Sequence, residues 1–133
     1  MKASYLFILN AVIALIFGLA FVLIPEQTTT LYGVDLGEGG IFIGRLFGAA
    51  LLAFAVVTWL VRNAADSPER QAIILGLFVG DVVGFVASLL AQLAGVSNAL
   101  GWSTVAIYLI LAVGFGYLRF IGEPGPAEPA SAG

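Results

Sequence analysis

Histidine and cysteine are both absent from the 133 residues, and charged side chains make up only 10% of them. Imidazole and thiolate are the usual protein ligands of haem, iron–sulfur clusters, copper and structural zinc, so no cofactor of these kinds is expected. Without cysteine no disulfide forms, and the redox character of the compartment is not legible in the chain. The five basic residues are scattered through a chain of net charge −3. They make no stripe able to follow a phosphate backbone, which excludes nucleic acid as a partner.

What is present is apolar: 61% of the residues are hydrophobic, far outside soluble usage. A bilayer core of about 30 Å takes roughly 20 apolar residues of helix, and backbone groups inside it must be satisfied within the segment. Four segments qualify, at about 3–24, 40–61, 71–94 and 101–121, with ends set to within roughly two to four residues. The first is longer than the apolar region of a signal peptide, roughly 7–15 residues, and no small-x-small site precedes Pro25, so it is expected to be retained.

The expected fold class is therefore an all-α membrane protein, an up-down-up-down four-transmembrane-helix bundle, because short connections make neighbouring helices antiparallel. One transmembrane domain covers residues 1–121, and the Pro-, Ala- and Gly-rich stretch 122–133 is expected to form a disordered cytoplasmic tail. Lys2, Arg62, Arg70 and Arg119 flank one side, whereas the first connection carries Glu26, Asp35 and Glu38. The positive-inside bias then places both termini in the cytoplasm, in a multi-pass protein of the bacterial inner (plasma) membrane. Trp102 and Tyr32 fall at the outer interface and Tyr5, Trp59 and Tyr117 near the inner one, which agrees.

The connections carry turn chemistry. In "RNAADSPER" either Asp66 or Ser67 serves as an N-cap ahead of Pro68. In "AGVSNALGW" Gly95 reads as a stop, and Ser97 or Asn98 as the cap of the last span. "PEQTTTLYGVDLGEGG" reads as an acidic solvated connector, and also as the best surface for a partner outside the membrane.

In lipid, helices associate where small residues let backbones approach. Gly76, Gly80, Gly84 and Ser88 recur four apart in the third span, Gly44 and Gly48 in the second, and Ala14 and Gly18 in the first. These helix-packing ridges serve contacts within the bundle, with further copies of the chain, or with another membrane protein.

Polar residues inside the spans are the candidate functional positions. Asp81 sits near mid-membrane in "ILGLFVGDVVGFVASLL", where an ionised carboxylate costs at least about 2.5 kcal/mol, so it must be protonated, paired or wetted. Ser88 and Gln92 share its helical face, making a stripe that faces protein or a cavity. Arg45, the one basic residue within a span, differs from Asp81 in depth by roughly 12 Å at 1.5 Å per residue, and is expected to snorkel outward toward Asp35 and Glu38. Asn10 lies nearer in level, and a hydrogen bond from its amide to a protonated Asp81 is the preferred local arrangement. Such a group either holds helices together or titrates in a proton or ion path.

"FGLAFVLIP", "LYGVDLGEGG", "GRLFGAALLAFAVVTWLVR" and "GVSNALGW", in that order, resemble a widespread group of small uncharacterised four-helix bacterial membrane proteins. More loosely, the chain is similar to the DoxX-like proteins, a name associated with a subunit of a quinone-linked sulfur oxidation system. The resemblance covers roughly residues 3–121, rests on Gly, Pro and apolar patterning, and carries over no catalytic residue, since fold likeness does not carry function. The leading expectation is a non-catalytic accessory or structural subunit of a larger membrane assembly, with the bilayer and membrane-protein partners or further copies as its contacts. The alternative is a small transporter or ion-conducting homo-oligomer that uses Asp81.

Overall fold

The computed structural model describes residues 2–122. Apart from Gly122, the expected tail at 122–133 lies outside the described residues. Five helices follow in order: α1 (Ala3–Leu23), α2 (Pro25–Leu31), α3 (Glu38–Val61), α4 (Pro68–Leu93) and α5 (Gly101–Phe120). The four long ones are apolar and long enough to cross a membrane, and no strand occurs among the described residues.

The short helix α2 differs from the connector expected at this place. Pro25 occupies its first turn, where a missing N–H costs nothing, and Glu26 lies at the positive end of the helix. Three threonines then fold their hydroxyls back onto the helix: Thr28 Oγ1 donates to Ile24 O at 2.7 Å, Thr29 Oγ1 to Pro25 O at 3.1 Å and Thr30 Oγ1 to Glu26 O at 2.7 Å. Hydroxyls that would compete with the backbone are thereby absorbed by it. Gly33, at φ 72°, ends the turn with Gly33 N donating to Thr30 O and Val34 N to Thr29 O, a Schellman closure.

Gly95, at φ 75°, ends α4 by the same device. At the start of α4 the choice of cap resolves to Ser67, whose Oγ accepts from Arg70 N at 3.1 Å, while Asp66 Oδ1 accepts from the Gln71 side chain. Neither Ser97 nor Asn98 caps α5. Leu100 holds that position without a side-chain bond, because Asn98 is spent one turn earlier: its Oδ1 accepts from Leu100 N, and its amide crosses to Leu31 O at 3.0 Å.

The long helices associate as two pairs, α1 with α3 and α4 with α5. On the first seam the small-residue ridges meet: a Cβ built on Gly18 would lie 3.1 Å from Gly48 O, and one on Gly48 would lie 2.8 Å from Gly18 O. Phe21 and Phe47 close one end of this seam edge to face, 5.2 Å apart. On the second seam Gly84 receives the Tyr108 ring and Gly116 receives Phe78, which also meets Phe120 at 5.3 Å.

The two pairs are joined at their ends. Leu6 lies on Gly114 and Phe7 on Phe115, within a cluster that adds Ile74, Leu77, Leu111 and Leu118. At the opposite end Asn98 ties the connection before α5 to α2, its N–H donating to Tyr32 O at 2.8 Å. Between these two joints α3 and α4 have no packed seam, and the middle of the bundle is left open.

Candidate functional site

The open middle is a cavity of about 500 Å³ that all four long helices line. α1 and α3 supply aromatic walls, Phe17 and Phe21 from one, Phe47 and Phe54 from the other. α4 supplies Gly76, Gly80, Asp81 and Ser88, and α5 supplies Thr104, Tyr108 and Leu111. Tyr32, Val34, Val96 and Ser97 close the end nearest the Asn98 tie. Two glycines border the space, and a Cβ on Gly76 or Gly80 would meet nothing within 4 Å.

Asp81 is the only charged residue in this wall among the described residues, and it is 7% exposed. Its Oδ2 is buried and accepts no hydrogen bond from any described residue. The expected bond from Asn10 is not made. Asn10 lines the same cavity, but α1 lies along α3, so its amide turns to Thr58 Oγ1 at 3.4 Å. Thr58 is fully buried and its own hydroxyl donates to Phe54 O at 2.7 Å, leaving a lone pair for the amide. The shared depth of Asn10 and Asp81 placed them at one level but not face to face.

The polar stripe expected below Asp81 divides. Ser88 reaches the cavity, with its hydroxyl donating to Phe85 O at 3.1 Å. Gln92 lies outside the wall and braces the following turn, donating to Asn98 O at 3.0 Å and accepting from Ser97 Oγ at 2.7 Å. Arg45 is exposed and takes no part in the wall.

Thr58 was not among the expected site residues, although its spacing carries a signal. Gly44, Gly48, Ala55 and Thr58 are all buried, and steps of three, four and seven put them on one face of α3. Asn10, Ala14 and Gly18 share one face of α1 in the same way. A polar residue at the end of each small-residue ridge therefore marks the pair that meets.

Asp81 Oδ2 has no hydrogen bond with the described helices to lose. Asp81→Leu is expected to raise the free energy of unfolding in detergent by roughly 1–3 kcal/mol, the usual cost of an unsatisfied buried polar group. Thermal melting monitored by circular dichroism checks this, and a lower melting temperature would reveal a partner in the folded state.

The helices, their two seams and the cavity lie within one sequence family. The chain belongs to DUF8292. This domain of unknown function matches residues 1–119, which takes in all of α1 to α4 and all but the last residue of α5. No curated protein and no solved structure matches the chain. What a DUF8292 chain does must therefore be argued from the cavity and its wall.

Proposed function

We propose that the chain is a non-catalytic multi-pass protein of the bacterial inner membrane that holds a small, mostly apolar ligand in its intramembrane cavity. In this reading the bundle runs up-down-up-down with both termini in the cytoplasm, where Lys2, Arg62, Arg70 and Arg119 gather. The observation that carries it is the cavity itself: about 500 Å³, walled by aromatic and aliphatic side chains, with one unpartnered carboxyl oxygen. Ligand sites typically enclose roughly 300–1,000 Å³, are mainly apolar and carry a few placed polar groups. A buried ionisable group within a membrane span is a functional candidate by default, and here it has room in front of it. Binding is also the first step of transport, so this geometry favours the small-transporter reading of Asp81 over a purely structural one.

The accessory-subunit reading keeps one observation in its favour. Gly76 and Gly80 are exposed on the flank where α3 and α4 fail to meet, and small residues are where a second helix approaches closely. Native mass spectrometry of the tagged chain, extracted gently from its own membrane, separates the two. A small-molecule adduct on the chain is the expected result. Stoichiometric release with other subunits and no adduct would favour the accessory reading, and a bare chain would remove both.

A further inference from the structure

We infer that the ligand of this cavity is a lipophilic organic cation, an ammonium or similar monocation on an apolar body, paired with Asp81. The inference rests on the ligand-holding reading above and assigns the chemical class.

Four observations lead to it. Asp81 is the one charged residue in the wall among the described residues, and no lysine or arginine lines the cavity to neutralise it. Its Oδ2 is buried and unpartnered, while the Asn10 amide, which lines the same cavity, is engaged by Thr58. Phe17, Phe21, Phe47, Phe54 and Tyr108 line the remaining space, and cations are attracted to the faces of aromatic rings when desolvated. Asp81 is the fourteenth residue of α4, which begins at Pro68, so it stands about 20 Å along the helix axis, far from either end of the span. A carboxyl at that depth must be protonated, paired or wetted, and a cationic ligand would supply the pairing that no residue of the wall does.

The same wall argues against other occupants. An anion would face the carboxylate with no basic group to receive it. A phospholipid amine brings its own phosphate, which would be left unpaired in the same wall. A divalent metal takes six or more oxygen ligands for calcium and a near-octahedral set for magnesium. No three acidic, His or Cys residues that could hold a metal lie together among the described residues. A neutral lipophile without a hydrogen-bond donor fills the space but leaves Oδ2 unanswered.

The test uses the full chain purified in detergent and two probes of one shape. These are 4-phenylbutyltrimethylammonium and its neutral isostere, in which a quaternary carbon replaces the nitrogen. Equilibrium dialysis is expected to show the cation binding at least roughly tenfold tighter than the isostere. Asp81→Asn is expected to remove that preference, and Arg45→Gln, on the exposed surface, to keep it. The comparison in the wild-type chain decides the matter even if a variant fails to fold. Equal affinity for the two probes overturns the cation assignment and leaves the ligand-holding reading in place. If neither probe binds and native extraction shows no adduct, both are overturned.

Discussion

Gly48→Leu is expected to separate α1 from α3 and to destabilise the chain strongly. The reason is what a side chain would meet. A Cβ at this position lies 2.8 Å from Gly18 O and 2.9 Å from Val22 N, both backbone atoms that no rotamer change can move. Even Gly48→Ala must push the helices apart, and overpacking of this kind typically costs about 1–3 kcal/mol, with leucine expected to exceed it. In lipid this seam is held by close backbone approach and contact of side chains, so widening it removes the attraction as well as adding strain. Thermal unfolding in detergent, followed through the two tryptophans, measures the effect. A melting temperature for Gly48→Ala equal to wild type would show that the α1–α3 seam is not where the structure has it.

Gly80→Leu is expected to do the opposite to stability and the most damage to binding. Nothing lies within 4 Å of a Cβ built there, and the position lines the cavity beside Asp81. Replacing a glycine in a helix interior removes an entropic cost of up to about 1 kcal/mol, so the melting temperature is expected to hold or rise. The leucine side chain occupies the space a ligand needs, and affinity for an apolar-bodied probe is expected to fall by at least roughly tenfold. Retained binding with an unchanged fold would place the ligand elsewhere. Loss of stability instead would mean that the glycine packs against another chain. The contrast with Gly48 is informative because the two residues look alike in sequence: both belong to ridges of small residues at helical spacing, and one is filled by a neighbouring backbone while the other faces empty volume.

The same contrast shows how far the sequence could be read. The four helices long and apolar enough to cross a membrane were legible because the requirement is one of length and polarity, and those are counted directly along the chain. Gly95 as a stop was legible because glycine costs least in the left-handed conformation that a Schellman closure demands. The helix α2 was not, since threonine-rich polar sequence reads as a connector until its hydroxyls are seen returning to the backbone. The pairing of Asn10 with Asp81 failed for a related reason. Depth along an axis follows from residue number, whereas the direction a residue faces matters only relative to whichever helix lies alongside, and α1 lies along α3.

By its sequence alone this chain determined four apolar helices, an acid at mid-span and three ridges of small residues, because each is a local property set by residue type and a rise of 1.5 Å per residue. Only the tertiary structure decided that two of those ridges close on each other, that the third stands open at Gly76 and Gly80, and that Asp81 faces the resulting cavity without a partner. Small residues permit close approach equally to a neighbouring helix, a ligand or another chain, so the choice among them rests on how the whole bundle assembles.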